Sequence, residues 1–267
     1  MPNTRDDSVE IAVDDQCLAG TLVTPGTLIP GVLFVHGWGG SQQQYVTRAR
    51  EVAALGCICL TFDLRGHART VEQQKSVTRE QNLNDVIAAY DALVRQRGVD
   101  RSSVAVVGSS YGGYLAAILT AHRPVRWLVL RVPALYKDSE WGTPKDQLRK
   151  LQGLEAYRLL AVTAAESRAL LACSQYKGDA LVVESGRDAI IPPQVVANYR
   201  AALSGAASLT YRLMENADHA LTSDADQQAY TTILVQWMSE MIRGARADSQ
   251  TKEVVAKAPK VELTAQP

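Results

Sequence analysis

The stretch that most constrains the fold of this chain covers residues 103–119, with the sequence SVAVVGSSYGGYLAAIL. It begins with an apolar, mostly β-branched run at 104–107, which predicts a short buried strand. It ends with apolar residues at helical spacing over 114–119. Between these two parts, residues 108–112 fit the pattern G-x-S-x-G. The stretch therefore predicts a sharp strand-to-helix turn that holds Ser110 at the C-terminal edge of a sheet.

The residue types in this turn suit a nucleophilic serine. Gly108 and Gly112 lack a Cβ atom, and a Cβ at either position would collide with the neighbouring strand or helix. The backbone N–H of Tyr111 lies at a helix N-terminus, where it can bind a developing oxyanion. The same five residues are also typical of an ordinary glycine–serine turn. The interpretation therefore depends on an acid and a base elsewhere in the chain.

Composition is that of an ordinary globular protein. With 267 residues, the chain is long enough for one large α/β domain. The 28 Lys and Arg balance the 28 Asp and Glu, which argues against nucleic acid or an anionic membrane as a partner. We expect no leader and no membrane-spanning segment. The cysteines, at 17, 57, 59 and 173, lack metal-ligand spacing, so we expect reduced, buried thiols in a cytoplasmic protein.

Strand-like and helix-like segments alternate along the chain. This alternation predicts an α/β fold with one mostly parallel sheet of about eight strands and helices on both faces. We expect strands at 8–13 and 17–23 (a hairpin at the sheet edge), 31–35, 57–62, 104–107, 126–130, 180–183 and 209–213. We expect helices at 41–54 with Ser41 as N-cap, at 79–97, directly after Ser110, after Pro193 to about 203, and at 224–242.

Two segments depart from this alternation of strands and helices. Residues 134–177 are long and polar, with helical pieces near 145–160 and 164–173. A small inserted cap and an ordinary crossover helix with long loops explain this segment equally well. The domain is expected to cover 1–243, and residues 244–267, which lack periodicity, are expected to form a disordered tail.

Polar residues follow the C-terminal ends of several predicted strands. They are the glycine-rich turn 36–40, Ser110, Asp188 and His219. The C-terminal ends of parallel strands meet at one edge of a sheet, where ligands bind. We therefore predict that Ser110 is a nucleophile, that His219 takes its proton, and that Asp188 orients His219.

Other histidines compete for the role of base. His67 also follows a predicted strand and stays the main alternative. His36 lies in the glycine-rich turn and is expected to brace that loop, and His122 is expected at the surface. His219 is favoured because it lies on a polar loop between the last strand and the last helix.

The acid has alternatives too. Asp179 lies at the wrong end of its strand, and Asp218 is adjacent to His219, which hinders pairing between the two side chains. Asp188 could instead cap the helix that follows it. We favour Asp188 as the partner of His219.

The glycine-rich turn predicts backbone donors. Glycines let N–H groups approach a ligand without Cβ atoms in the way. We expect the N–H groups of Trp38 and Tyr111 to form an oxyanion hole, although a flexible turn with Trp38 as a core aromatic is the alternative. The turn at 63–67 is interpreted as structural, with Asp63 and Arg65 making local hydrogen bonds.

On these motifs, the chain resembles the α/β-hydrolase superfamily over residues 8–243. The strand-to-helix turn at 108–114, called a nucleophile elbow, is similar to that of prolyl-oligopeptidase and acylaminoacyl-peptidase catalytic domains. The turns at 36–40 and 63–67 are similar to those of dienelactone-hydrolase-like and esterase members. The resemblance implies the α/β-hydrolase fold.

The motifs together predict a serine hydrolase that cleaves a small carboxylic ester through an acyl-enzyme on Ser110. No cofactor and no metal are expected. A peptidase, an amidase or a thioesterase of the same fold remain alternatives, as does a non-catalytic ligand-binding protein on the same scaffold. Substrate choice is expected to depend on the pocket between Trp38, Tyr111 and residues 134–177.

Overall fold

The computed structural model describes residues 4–13, 16–25 and 28–257 of the chain, with side chains described for residues 28–245. The strands are β1 (Thr4–Val13), β2 (Gln16–Pro25), β3 (Ile29–Val35), β4 (Ile58–Thr61), β5 (Val99–Ser109), β6 (Trp127–Arg131), β7 (Asp179–Ser185) and β8 (Ser208–Met214). The last six form one sheet in the order β4-β3-β5-β6-β7-β8, and every neighbouring pair in it is parallel.

The expected sheet of about eight strands is corrected to six. β1 and β2 pair antiparallel with each other as a separate two-stranded sheet rather than extending an edge of the large sheet. The hairpin itself was expected, and its strands are longer than predicted. Alternation of apolar and polar residues specifies pairing within a hairpin, but it does not specify whether the hairpin joins a larger sheet.

The helices are α1 (Gln43–Ala53), α2 (Arg79–Val94), α3 (Tyr111–Leu119), α4 (Leu148–Leu151), α5 (Leu154–Tyr157), α6 (Arg168–Gln175), α7 (Pro193–Ala202) and α8 (Asp224–Lys257). Strand β5 shows how they cover the sheet. Val104 and Val106 pack in a core with α2, α3, α6 and α7, whereas Ala105 and Val107 pack in a second core with α1 and α8. Both faces of the parallel sheet are thus covered, as its continuous apolar strands predict.

The order of the strands places the candidate residues together. β3 lies inside the sheet, with β4 on one side and β5 on the other, so the chain changes direction next to β3. The turns after β3, β5, β7 and β8 all leave the C-terminal edge. Such a switch point is where open α/β sheets bind ligands.

The beginning of α1 differs from the prediction. The helix begins at Gln43, and Ser41 is not its N-cap. Instead, the Asp63 carboxylate after β4 accepts hydrogen bonds from the backbone N–H and the side-chain Nε2 of Gln42, at 2.8 and 2.9 Å. A carboxylate from another element therefore satisfies the helix N-terminus, which local sequence could not reveal.

Replacement of Asp63 by alanine is expected to lower the free energy of unfolding by about 1 kcal/mol, because it removes the acceptor at this helix N-terminus. Denaturant titration monitored by circular dichroism measures this change. Asp63→Asn keeps one acceptor oxygen and is the matched control, with a smaller expected loss. Equal stability of Asp63→Ala and the wild type would contradict this role for Asp63.

The last helix extends further than predicted. α8 continues to Lys257, not to about residue 242, so the first part of the predicted tail is helical. Residues 258–267 lie outside the described residues. Residues 244–257 contain three Ala, two Lys and one each of Arg, Gln and Glu, which favour helix even without an apolar face.

Residues 134–177 include the expected crossover helix, and the inserted cap stays a prediction. α6 packs against α3 and serves as the crossover helix between the parallel strands β6 and β7. The part before it contains only short helical turns, including α4 and α5. In this part, the Lys145 N–H donates to the Val77 carbonyl at 2.8 Å.

The thiols and the helices bear on the expected cell compartment. Cys57 and Cys173 are buried and Cys59 is half-buried. Burial raises the pKa of the Cys59 thiol to about 12. The side chain of Cys17 lies outside the described residues.

No helix in the described parts of the chain has both the length and the apolar character needed to cross a membrane. The cytoplasmic location stays a prediction.

Candidate active site

Ser110 lies in a strained turn between β5 and α3. Its backbone angles are φ 52° and ψ −118°, a conformation that few residues other than glycine adopt. Hydrogen bonds hold this geometry. The Ser110 N–H donates to the Arg131 carbonyl at 2.9 Å, and the Ser110 carbonyl accepts from the N–H groups of Tyr114 and Ala134 at 3.1 and 2.9 Å. The turn therefore has the sharp strand-to-helix form that the sequence pattern predicts.

The two glycines of the pattern lie where no side chain fits. A Cβ on Gly112 would lie 2.2 Å from the Val35 carbonyl oxygen and 2.5 Å from that of His36. A Cβ on Gly108 would lie 2.5 Å from the Gly112 carbonyl oxygen. Helix α3 thus packs directly on the backbone at the end of β3, and this contact fixes the position of Ser110.

The structure brings Ser110, His219 and Asp188 together from the ends of three strands. His219 Nε2 lies 3.0 Å from Ser110 Oγ, and His219 Nδ1 lies 2.7 Å from Asp188 Oδ2. An ionised Asp188 accepts a hydrogen bond from Nδ1–H of His219, which leaves Nε2 as an acceptor for the Ser110 hydroxyl. The three side chains form one continuous hydrogen-bonded chain.

Asp188 is held ionised by its surroundings. Its side chain is only 2% exposed. Burial raises the pKa of this carboxyl, but hydrogen bonds from His219 and from the N–H groups of Ile191 and Ile190 outweigh burial, so the pKa is below its usual range. The two N–H groups donate to Oδ1 at 2.8 and 2.7 Å. Asp188 therefore stabilises its own turn with one oxygen and contacts His219 with the other.

Asp218 does not pair with His219, as predicted, whereas Asp63 and Arg65 bond to residues of other elements and not locally as predicted. Asp218 accepts hydrogen bonds from the backbone N–H and the hydroxyl of Thr222, so it belongs to its own turn. Arg65 donates to Asp85 on α2, from its backbone N–H at 3.0 Å and from Nη2 at 2.9 Å. Arg65 therefore bonds to a distant helix and not locally as predicted.

His36 and His67 join the glycine-rich turn to the turn after β4. His36 Nδ1 donates to the Gly37 carbonyl at 2.7 Å, and its Nε2 accepts from the Leu64 N–H at 3.0 Å. His67 Nε2 accepts from the Gly39 N–H at 3.0 Å. Because His67 makes this contact away from Ser110, the alternative in which it is the base is not supported. His36 braces the loop as predicted, and His122 is exposed.

The buried His36 makes stability depend on pH. Burial lowers the pKa of His36 from 6.5 to about 4. Between pH 6.5 and about pH 4, the unfolded chain binds a proton at His36 that the folded protein excludes. The stability contributed by the neutral His36 is therefore fully present above pH 6.5 and is lost as pH falls towards 4. The full shift corresponds to about 3 kcal/mol. Protonation would also remove the acceptor of the Leu64 N–H.

We expect the free energy of unfolding of the wild type to fall by about 3 kcal/mol more than that of His36→Gln between pH 7 and pH 4. Denaturant titrations at a series of pH values measure this difference. His122→Gln, which replaces an exposed histidine, is the control and is expected to follow the wild type. Parallel curves for the wild type and His36→Gln would contradict the expectation.

Trp38 lines the cavity beside Ser110, and Tyr111 directly follows Ser110 in the chain. Trp38 follows β3 on the glycine-rich turn, and Tyr111 is the first residue of α3. Their rings meet edge to face at 5.6 Å. Within the described part of the chain, neither backbone N–H donates to a protein acceptor. Trp38 also contacts residues 134–177, since Lys145 Nζ lies 4.2 Å from the Trp38 ring centroid.

Sequence reasoning missed two arginines at this site. Arg131, the last residue of β6, accepts the Ser110 N–H with its carbonyl, and its Nη2 donates to the carbonyls of Asp218 and His219 at 3.2 and 2.6 Å. Arg48 on α1 lines the same cavity of about 350 Å³ next to Ser110. The position of Arg131 directly after an apolar strand was the available signal. No sequence signal marks Arg48.

Comparison with known proteins identifies the family. The model of the prolyl oligopeptidase family matches residues 43–245, which is most of the chain. The chain belongs to the prolyl oligopeptidase family. This assignment confirms the resemblance inferred from the elbow, and it makes the protein an enzyme of the α/β-hydrolase type.

One curated relative and two solved structures illustrate the similarity. Acylamino-acid-releasing enzyme 2 of Oryza sativa subsp. japonica is 28% identical over 106 residues, which cover 38% of this chain and 14% of the rice enzyme. A structure from the metagenome-derived lipolytic enzymes LipS and LipT matches with a TM-score of 0.63 and 20% identity, over 80% of this chain and 95% of the other. Dienelactone hydrolase from Anabaena variabilis matches with a TM-score of 0.57 and 19% identity, over 89% and 98%. These similarities establish the α/β-hydrolase fold for this family member.

Proposed function

We propose that this family member is a serine hydrolase that cleaves a carboxylic ester through an acyl-enzyme on Ser110. The observation that supports it best is the hydrogen-bonded chain from Ser110 through His219 to Asp188, beside an open cavity. A serine hydroxyl is a weak nucleophile until a neighbouring base takes its proton. His219 Nε2 lies 3.0 Å from Ser110 Oγ, at hydrogen-bond distance from the hydroxyl that carries this proton.

Acylation follows from this geometry. Ser110 Oγ attacks the ester carbonyl carbon while His219 Nε2 takes the hydroxyl proton. The buried, ionised Asp188 orients the imidazole and stabilises its positive charge. The N–H groups of Trp38 and Tyr111 bind the negative oxygen of the tetrahedral intermediate. His219 then gives its proton to the departing alcohol as the carbon–oxygen bond breaks.

Deacylation uses the same groups in the same order. A water molecule loses a proton to His219 and attacks the acyl carbon of the Ser110 ester. The second tetrahedral intermediate collapses, Ser110 regains its proton from His219, and a carboxylic acid leaves. The cavity beside Ser110 has a volume of about 350 Å³, which leaves room for this water.

Cleavage of an acylated amino acid from a peptide is the second candidate. The observation that favours it is the similarity to the rice acylamino-acid-releasing enzyme over 106 residues. The catalytic chemistry would be identical, because an amide carbonyl passes through the same tetrahedral intermediate. The leaving amine then needs the proton from His219 more than an alcohol does.

A fluorophosphonate probe tests the proposal directly. It is expected to label the wild type on Ser110 and to leave Ser110→Ala unlabelled. Ser109→Ala, which changes the adjacent serine, is the matched control and is expected to be labelled. Equal labelling of the wild type and Ser110→Ala would refute the assignment of the nucleophile.

A substrate panel separates the candidates within this chemistry. p-Nitrophenyl esters, acyl-CoA thioesters and acetyl-aminoacyl anilides are compared by kcat/KM. We expect the esters to give the highest values. Highest values for the anilides would support the peptidase candidate. Absence of burst-phase acylation with every activated ester would favour a ligand-binding protein on the same scaffold.

A further inference from the structure

The cavity beside Ser110 has an unusual charge. Two arginines, Arg48 and Arg131, line it together with Ser110 and His219. Its described lining includes no Asp and no Glu. Both arginines are buried, at 8% and 5% exposure. A guanidinium stays protonated at any ordinary pH, so the wall of this cavity carries two positive charges.

The position of Arg48 is fixed without an acidic partner. Its Nε donates to Thr231 Oγ1 at 3.1 Å, and its Nη1 donates to the Gln44 carbonyl at 3.3 Å. Among the described residues, Arg48 forms no ion pair, and its Nη2 makes no hydrogen bond. The guanidinium is therefore held between α1 and α8 with donor capacity left for a ligand.

Arg131 also retains unused donors. Its Nη2 is occupied by the carbonyls of Asp218 and His219, but its Nε is buried without a hydrogen-bond partner. The carboxylate whose charge acts on Arg131 is Asp188, and that group is already hydrogen-bonded to His219. No carboxylate of the described residues forms an ion pair with this arginine.

The two guanidinium groups share one neighbour. Their Cζ atoms lie 5.0 Å (Arg48) and 5.6 Å (Arg131) from the ring centroid of Tyr230. Burial lowers the pKa of Arg131, and the charge of Arg48 lowers it further. Two buried like charges destabilise the empty site unless an anion joins them. The hydroxyls of Tyr230 and Ser109 are also buried in the cavity wall, where they interact with each other.

A carboxylate fits this arrangement. It is planar, and its two oxygens match the parallel donors of a guanidinium. The donors that protein acceptors leave free at this site belong to two arginines and to hydroxyl groups. This set of donors suits a singly charged ligand group with two acceptor oxygens. An uncharged ester alone would leave these donors unsatisfied.

We propose that the substrate carries a carboxylate that binds Arg48 and Arg131 in this cavity while the scissile carbonyl lies at Ser110. The inference rests on the proposed serine hydrolase function and names its substrate class. The carboxylate anchors the substrate on the His219 side of the nucleophile. Arg131 then has two functions, because the same guanidinium also holds the His219 loop.

Pairs of esters that differ only in charge test this proposal. Monomethyl esters of dicarboxylic acids, from succinate to suberate, are compared with methyl esters of neutral acids of equal length. A second series places the carboxylate in the alcohol, as in 4-acetoxybutyrate against butyl acetate. In at least one series, the wild type is expected to prefer the anionic ester.

Arg48→Gln is expected to lower the anionic-to-neutral ratio of kcat/KM by about 10- to 100-fold, the value of a charge-assisted hydrogen bond. Arg50→Gln is the matched control, since Arg50 is an exposed arginine of the same helix, and it is expected to keep the wild-type ratio. Arg48→Lys keeps the charge but not the paired donors, so an intermediate ratio is expected. Arg48→Lys also serves if Arg48→Gln does not fold.

Binding without turnover separates this proposal from the proposed function. Calorimetry with Ser110→Ala is expected to show that glutarate binds and that Arg48→Gln, added to this variant, weakens binding at least tenfold. The carboxylate site would be overturned if Arg48→Gln kept the wild-type anionic-to-neutral ratio of kcat/KM and glutarate did not bind. Labelling of Ser110 by the fluorophosphonate in the same protein would leave the proposed hydrolase function intact. Tighter, Arg48-dependent binding of inorganic phosphate than of glutarate would also overturn it. Failure of labelling at Ser110 would refute the hydrolase itself.

Discussion

Replacement of Ser110 by alanine is expected to lower kcat for ester hydrolysis by about 10⁴-fold or more. The reason is that no other hydroxyl takes the place of Ser110 Oγ, which lies 3.0 Å from His219 Nε2. The neighbouring Ser109 Oγ is buried and interacts with the Tyr230 hydroxyl, away from the position of Ser110 Oγ in the hydrogen-bonded chain. Stopped-flow measurement with a p-nitrophenyl ester detects both the burst of acylation and the steady state.

Further variants show whether the three side chains act as a unit. His219→Ala is expected to lower kcat about as much as Ser110→Ala, and the double variant is expected to be little worse than either single one. Asp188→Asn should cost less than the loss of Ser110, but still orders of magnitude, because it favours the wrong tautomer of His219. Losses that multiply in the double variant would contradict a shared hydrogen-bonded chain.

The elbow and its two partners could be predicted because each follows a strand of a parallel sheet. The period of the strands and their order place residue 110, residue 188 and residue 219 at the same edge. The strained turn at Ser110 has a recognisable sequence pattern because only glycine leaves room beside it. For these residues, the sequence pattern of the turn and the order of the strands in the sheet predict the same position.

The groups that surround these residues could not be predicted in the same way. Arg48 is one arginine of an amphipathic helix, and its place in the cavity depends on how α1 packs against α8. His67 and Asp63 act on the backbone of other turns, at Gly39 and Gln42. Such contacts join residues far apart in sequence, and no spacing rule identifies them.

The edges of the fold were the least predictable part. The alternating pattern at 8–13 and 17–23 fixes a hairpin, but pairing with the large sheet depends on which edge is free. The length of α8 depends on helix-favouring residues after 243 that lack an apolar face. In both cases the pattern defines the element and leaves its extent or its partner open.

The second large effect concerns the packing that positions Ser110. Gly112→Ala is expected to lower the free energy of unfolding by more than about 4 kcal/mol, because the new Cβ would collide with backbone and not with a movable side chain. The Cβ would lie 2.2 Å from the Val35 carbonyl oxygen. Relief of this contact requires α3 to move away from β3, and Ser110 would move with it.

Two other glycines make the prediction quantitative. Gly142→Ala is the control, because nothing lies within 4 Å of the added Cβ, and its effect is expected to be within about 0.5 kcal/mol. Gly37→Ala is intermediate, since its Cβ would lie 3.3 Å from the Ser110 Cβ and 3.4 Å from the Ser109 carbonyl oxygen. If Gly112→Ala yields no folded protein, Gly37→Ala still gives a measurable loss of both stability and kcat. Wild-type stability of Gly112→Ala, measured by denaturant titration, would mean that α3 does not pack on β3 as closely as these distances require.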